Sequence, residues 1–382
     1  MKYRKFGKLD WKASSLGFGT MRLPVINNDH SNIDESEAIR MMHYAFDHGV
    51  NYVDSAYGYH KGNSEVVIGI ALKDGYRKKV RVATKIQARD TNSPEDFDRL
   101  LNEQLKRLQT DKIDFYLLQH LNRVNWPKMR NLGVLKWADR AIADGRIGYF
   151  GFSFHDTSEL LQEIIDAYDN WTLCQIQYNY MDEEFRAGTR GLDYAHKKGL
   201  AVVVMEPLRG GRLTRPPEQV AGIWANATVQ RTPQEWGLRW VWNHPEVTVV
   251  LSGMSTMEQV VENVAAAERS SPHNLTVDEL ALIGRVRDAY RSLGPTSCTA
   301  CRYCMPCPNG VDIPRVLGYY NEAVIYSSPS RLRTYYRDPD MIKEEERADK
   351  CIKCKQCIEK CPQKLPIPEL LEKAHEFLTE KE

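Results

Sequence analysis

The stretch from residue 51 to residue 118 opens with Asn51-Tyr52-Val53-Asp54, returns to Val80-Arg81-Val82-Ala83-Thr84-Lys85, and returns again to Ile113-Asp114-Phe115-Tyr116-Leu117-Leu118. Each run is apolar, and helical patterns separate the runs at intervals of roughly 30 residues, the rhythm of repeated βα units. Working outward, the same rhythm begins at Ser15-Leu16-Gly17-Phe18-Gly19. It continues through Ile147-Gly148-Tyr149-Phe150-Gly151-Phe152, Leu173-Cys174-Gln175-Ile176-Gln177, Ala201-Val202-Val203-Val204-Met205 and Val247-Thr248-Val249-Val250-Leu251. Eight strands, each followed by a helical stretch, are what a closed (β/α)₈ TIM barrel of about 250 residues requires. The rival is an open doubly wound sheet, which usually carries Gly-x-Gly-x-x-Gly after its first strand. Gly17-Phe18-Gly19-Thr20-Met21-Arg22 lacks the third glycine.

Helix signals support the alternation. Asn32-Ile33-Asp34-Glu35 places cap residues before Ala38, Ile39, Met42 and Ala45, and His48-Gly49 ends that helix. Asn92-Ser93-Pro94-Glu95 predicts a cap followed by a proline in the first turn, with Leu100, Leu101, Leu105 and Leu108 as the buried stripe.

The chain has 382 residues, 42% hydrophobic and 27% charged, which suits one large globular domain with a small one beside it. With 52 basic against 51 acidic residues, the net charge of +1 gives no field that would draw nucleic acid or an anionic membrane. No apolar run resembles a leader or a membrane span, so the expectation is a soluble, unexported, cytoplasmic protein acting on a small molecule.

Eight of the nine cysteines fall in the last quarter of the chain, unlike a secreted disulfide framework. Cys298, Cys301, Cys304 and Cys307 stand three apart and are followed by Pro308. Cys351, Cys354, Cys357 and Cys361 form Cys-x2-Cys-x2-Cys-x3-Cys followed by Pro362. The second run is the bacterial ferredoxin pattern, in which three thiolates wrap one cubane and the fourth reaches its neighbour. Two [4Fe-4S] clusters are therefore expected, one on Cys298, Cys301, Cys304 and Cys361, the other on Cys307, Cys351, Cys354 and Cys357. The first run departs from the pattern by one residue before Cys307. Two zinc sites of four cysteines are the alternative. Cys174, alone on a barrel strand, reads as a small buried hydrophobe. A helical pattern over Val277 to Leu293 precedes Gly294-Pro295-Thr296-Ser297, which predicts a barrel over 1–293 and a ferredoxin-like iron–sulfur domain over 294–382. Leu371 to Glu382 reads as an amphipathic helix with a frayed end.

Asp54 closes the second strand, Tyr59 lies in the loop after it, Lys85 ends the third and His120 ends the fourth. All belong to the C-terminal mouth, where barrels place their chemistry. Singly, each has a bland explanation as a cap, a packing ring, a solvated charge or a core histidine. Together they suit reduction of a carbonyl, with Tyr59 supplying the proton, Lys85 and Asp54 lowering its pKa, and His120 orienting the oxygen.

These residues, in Asn51-Tyr52-Val53-Asp54-Ser55-Ala56-Tyr57-Gly58-Tyr59, Val82-Ala83-Thr84-Lys85 and Leu117-Leu118-Gln119-His120, resemble the aldo-keto reductase superfamily over residues 1 to about 290. With the cysteine tail, the chain looks like the branch carrying a C-terminal ferredoxin-like domain. The resemblance implies NAD(P)H-dependent reduction of an aldehyde or ketone, or alcohol oxidation in reverse. It implies nicotinamide-ribose contacts at Gly19, Thr20, Met21 and Asp54, and carboxamide contacts at Ser153 and Gln175, with Phe154 where an asparagine is usual. Met205 stands where many members stack a tyrosine. Pro207, Leu208 and Gly210 match the pyrophosphate region, and Arg209 and Arg212 share their loop. Gly253, Ser255, Gln259, Glu262 and Asn263 match the adenosine region, where Gly253 and Gln259 replace the basic residues that often grip the NADP 2′-phosphate. Hydride transfer moves two electrons and a cubane normally passes one. The clusters are therefore structural, regulatory or a relay to a redox protein partner, or a flavin takes part, although no flavin motif is present. A non-catalytic electron-transfer protein with the barrel as docking module is the other reading.

Overall fold

The computed structural model describes residues 1–300, 302–339 and 341–380. The chain divides into two compact units, Met1–Thr214 with Thr232–Thr276, and Arg215–Arg231 with Val277–Glu382. The sequence puts a boundary at Gly294, whereas the unit that holds the cysteines also takes in helix Val277–Ser292 and the inserted segment Arg215–Arg231.

The first unit is the expected closed barrel. A short antiparallel pair, β1 (Tyr3–Lys5) and β2 (Lys12–Ser14), precedes it. The barrel strands are β3 (Leu16–Gly19), β4 (Tyr52–Asp54), β5 (Arg81–Gln87), β6 (Ile113–Leu121), β7 (Ile147–Phe154), β8 (Trp171–Gln177), β9 (Ala201–Met205) and β10 (Val247–Gly253). They pair in sequence order, all in parallel, and β10 closes on β3 through Val250 opposite Leu16 and Gly253 opposite Gly19. Barrel strands face packed side chains on both sides, so they are almost wholly buried and read as continuous apolar runs.

The β1–β2 hairpin was not foreseen, because three-residue strands carry too little pattern. Its turn is held against the start of β9. Gly7 has φ +55°, and a Cβ there would stand 2.7 Å from the Ala201 nitrogen. Beside it Phe6 is fully buried, 4.6 Å from the Phe115 ring and 5.9 Å from Tyr52, within a cluster that includes Ala83, Leu173 and Val249.

Helix Glu35–Asp47 begins where the sequence indicates, with the Asp34 carboxylate accepting from the Glu37 N–H. Helix Glu95–Arg107 starts differently from expectation. Its Asp96 carboxylate reaches back to accept from the Asn92 and Ser93 N–H groups at 2.8 and 3.0 Å, so the cap comes from inside the first turn. On its inner face Gln104 takes a fully buried position and Leu105 is half-buried, because Gln104 serves a polar network behind the site.

In the second unit, helices Ile313–Ile325, Pro329–Arg337 and Ile367–Thr379 bury Val316, Leu317, Leu332, Tyr336, Leu371 and Leu378. The last helix starts four residues before the expected Leu371, and Lys381 and Glu382 lie outside the described residues. Asp312 caps the first of these helices, and the Tyr336 hydroxyl, 2.8 Å from His375 Nδ1, accepts from the Ala348 N–H. No helix among the described residues is long and apolar enough to cross a membrane.

Candidate functional site

The barrel brings Asp54, Tyr59 and Lys85 together. Lys85 projects from β5, is 1% exposed, and donates to Asp54 Oδ1 at 2.5 Å and to the Ser55 carbonyl at 2.6 Å. The other Asp54 oxygen accepts from Gln175 Nε2 at 3.1 Å, and the Asp54 carbonyl accepts from both the N–H and the hydroxyl of Thr20. Tyr59 begins a single tight turn, Tyr59–Gly62, and its ring centroid lies 5.3 Å from Lys85 Nζ.

Burial pushes the Asp54 carboxyl up, and the Lys85 ammonium pulls it back. Burial works against the charged form of Lys85 too, but Asp54 and Tyr59 outweigh it and raise its pKa, so the ammonium persists. The expected lowering of Tyr59 does not hold. Burial outweighs the attraction of Lys85, and the phenol is raised above its ordinary value. The tyrosine is thus held as a proton carrier, which is the state an acid needs.

Behind Lys85 sits a buried group that the sequence did not single out. The Glu65 carboxylate, fully buried, accepts from Thr84 Oγ1 at 2.5 Å, from Gln104 Nε2 at 2.6 Å and from Arg107 Nη1 at 3.2 Å. Gln104 also donates to the Lys85 carbonyl, and Arg107 donates to the Tyr57 carbonyl, so the network pins both the strand and the loop of the site. Gly62, at φ +96°, is the residue that admits Arg107, because a Cβ there would lie 2.8 Å from its Nη1.

His120 sits near the end of β6 with φ +59° and an exposed side chain; its N–H donates to Ser153 Oγ at 2.8 Å, and its carbonyl accepts from Asn125. Its ring stacks on that of His155, centroids 4.1 Å apart and 8° from parallel. His155 was also missed. Its Nδ1 is buried without a hydrogen-bond partner, and its pKa is well below the ordinary histidine value. Burial is the main cause, followed by the charges of Arg186, His120 and Lys85. A position just past Ser153-Phe154 was the available signal.

The remaining predicted contacts lie around the same mouth. Met21 is 60% exposed beside buried Thr20, Met205 ends β9 half-buried, and Pro207 and Leu208 are buried in the following loop. Asn263 Nδ2 donates to Ser252 Oγ, Gln259 Oε1 accepts from the Ser255 N–H, and Glu262 accepts from Gln234. Arg209 pairs with Asp182 at 3.1 Å. Arg22, which the sequence reading passed over, is an exposed cation between the loop after β9 and the end of β10. A Cβ on Gly210 would meet its Nη2 at 3.0 Å, a Cβ on Gly253 would meet its Cδ at 3.3 Å, and its carbonyl accepts from Ser255 Oγ. The glycines at 210 and 253 leave room for that side chain.

In the second unit, Cys298, Cys304 and Cys361 line one cavity with Ile313 and Leu317. Cys304, Cys307, Cys351, Cys354 and Cys357 line another with Leu371. Cys301 lies outside the described residues. Among the described residues, no three His, Cys, Asp or Glu side chains converge on a point that would hold one metal ion. The described thiols line these two cavities. Cys174, on β8, is fully buried and its thiol is pushed up to about 12 by burial, an inert core residue.

A model of the aldo/keto reductase family matches residues 15–283, and one of the 4Fe-4S dicluster domain matches residues 297–365. An NADH-specific methylglyoxal reductase of Escherichia coli is 27% identical over 70% of this chain and 93% of its own length. An uncharacterized oxidoreductase of Bacillus subtilis is 28% identical over 71% and 92%. The holo form of an aldo-keto reductase from Bacillus halodurans superposes with a TM-score of 0.63 at 27% identity, covering 75% of this chain and 96% of that one.

Proposed function

This chain belongs to the aldo/keto reductase family and joins its barrel to a 4Fe-4S dicluster domain, and from that premise we propose that it reduces a small aldehyde or ketone with NAD(P)H, or oxidises the matching alcohol. The observation that carries the reading is the buried Asp54–Lys85 pair with the Tyr59 ring 5.3 Å from the ammonium.

The nicotinamide, when bound, supplies or takes the hydride. Tyr59 gives its phenolic proton to the carbonyl oxygen, and Lys85 stabilises the phenolate that remains. Asp54 keeps Lys85 charged and aimed, and is itself fixed by Gln175 and Thr20. His120, at the rim, orients the carbonyl. Gly19, Thr20, Met21, Asp54, Ser153, Gln175 and Met205 would hold the nicotinamide end. Pro207, Leu208 and Gly210 would hold the pyrophosphate, and Gly253, Ser255, Gln259, Glu262 and Asn263 the adenosine. Arg22 supplies a positive charge between those loops. The NADH-specific relative agrees with a pocket that carries no basic residue at 253 or 259.

In the second unit, Cys298, Cys301, Cys304 and Cys361 would hold one cluster and Cys307, Cys351, Cys354 and Cys357 the other. The cysteines that line each cavity, with Cys304 bordering both, support that division. Bound there, such clusters supply one-electron exchange. Hydride transfer to a carbonyl needs none, so the two units serve separable redox steps.

The test is oxidation of NADH and NADPH by anaerobically purified protein with a panel of small aldehydes and ketones, wild type against Tyr59→Phe. The variant is expected to lose about 10²- to 10⁴-fold in turnover with its fold intact. Equal turnover in the two proteins contradicts the tyrosine mechanism.

A further inference from the structure

Cys354 alone among the described cysteines is exposed. The backbone at Lys353 and at Lys355 is left-handed, with φ of +53° and +63°, and turns the loop around it. Ile352, 65% exposed, lines the same cavity as Cys354, together with Lys355, Gln356 and Lys360. A group held by these cysteines therefore meets solvent through a thin cover of side chains. The other cavity is backed by Cys361, which is 8% exposed.

The segment that lines this opening is rich in cations, and Asp349, Glu369 and Glu372 stand beside Lys350 and Lys353. Residues 350–364 contain five lysines and one acidic residue, Glu359. Lys350 pairs with Asp349 at 2.9 Å and Lys353 with Glu372 at 2.9 Å. Lys355, Lys360 and Lys364 are exposed and make no ion pair with a described residue. An apolar residue flanked by Lys355 and Lys360 on the rim of one cavity, above a redox site, has the form of a transient docking face: the cations steer an oppositely charged partner and the apolar contact seats it.

We propose that the Ile352–Gln356 edge, with Lys355 and Lys360 on its rim, is an electron port that docks an acidic one-electron carrier protein. The proposal rests on the reading of the cysteine segment as a cluster domain. Each encounter moves one electron. The reduced carrier is oxidised by one electron and the cluster beside Cys354 is reduced by one, with no bond made or broken and no proton transferred; the reverse encounter runs the same balance backwards. Transfer rates fall steeply with distance, so the exposed cysteine marks the side from which a carrier comes closest.

The test uses the full chain purified anaerobically, its iron and sulfide measured, reduced with dithionite and desalted. Oxidation is then followed in a stopped-flow instrument with two one-electron acceptors of opposite charge, the acidic cytochrome b5 and the basic cytochrome c. The second-order rate with cytochrome b5 is expected to fall about ten-fold or more from low to high salt. In Lys355→Glu/Lys360→Glu it is expected to fall by a similar factor at low salt while the rate with cytochrome c rises. Lysines that only offset cluster charge would change both rates in the same direction, which overturns the port. So does a wild-type rate with cytochrome b5 that ignores salt, a readout that stands even where the variant fails to load clusters. A preparation with no iron and sulfide overturns the cluster reading as well; clusters present with salt-insensitive rates overturn the port alone.

Discussion

At the scale of single residues, the site is a set of charges whose ionisation is fixed by burial and by each other. Tyr59 is raised by burial and drawn back by Lys85, so it remains protonated through neutral pH and is ready to donate. His155 makes a prediction of its own. Its folded pKa lies well below the unfolded value of about 6.5, so the unfolded chain binds the extra proton first, and stability is lost as pH falls below about 6.5. A single such group contributes up to about 1.4 kcal/mol per pH unit on the acid side. Urea midpoints measured from neutral to acid pH are expected to fall less steeply in His155→Phe than in wild type; parallel curves contradict a neutral His155. Asp54, Tyr59, Lys85 and His120 stand out in the sequence because ionisable residues at and just past the ends of neighbouring strands are hard to place by packing alone, and the structure brings the first three together. His155, Glu65 and Arg22 were not, because their meaning comes from what they touch: a ring 4.1 Å away, a strand behind the site, and two glycines far apart in sequence.

At the scale of elements, the barrel strands were legible because burial on both faces writes them as unbroken apolar runs. The ends shifted by one to three residues where strand pairing runs on past the apolar run, as Ile86 and Gln87 extend β5 and Gln119 to Leu121 extend β6. The β1–β2 hairpin left no such signature, yet it holds Phe6 against Tyr52, Phe115 and Ala83. Phe6→Ala removes a fully buried ring from that packing, and a loss of about 3–5 kcal/mol in unfolding free energy is expected. Denaturant titration checks it, and the ring packs against Tyr52 and Ala83, two residues before Asp54 and Lys85 on β4 and β5. A change below about 1 kcal/mol would show that the hairpin is dispensable to the barrel.

At the scale of the whole molecule, two kinds of redox site share one chain. The barrel's polar mouth suits a two-electron hydride reaction, and the second unit rings two cavities with thiols suited to one-electron carriers. The sequence made the cysteine segment plain through its spacing. It did not disclose that Arg215–Arg231, inserted between β9 and β10, belongs to the same compact unit as the cysteines, since nothing local marks a segment that packs against a helix far along the chain. The claim that joins these observations is that the cysteines between 298 and 361 hold two cubanes. Iron, acid-labile sulfide and zinc, measured per chain on anaerobically purified protein, test it most directly. About eight iron and eight sulfide per chain, with negligible zinc, is the predicted result. About two zinc per chain with no sulfide would contradict it.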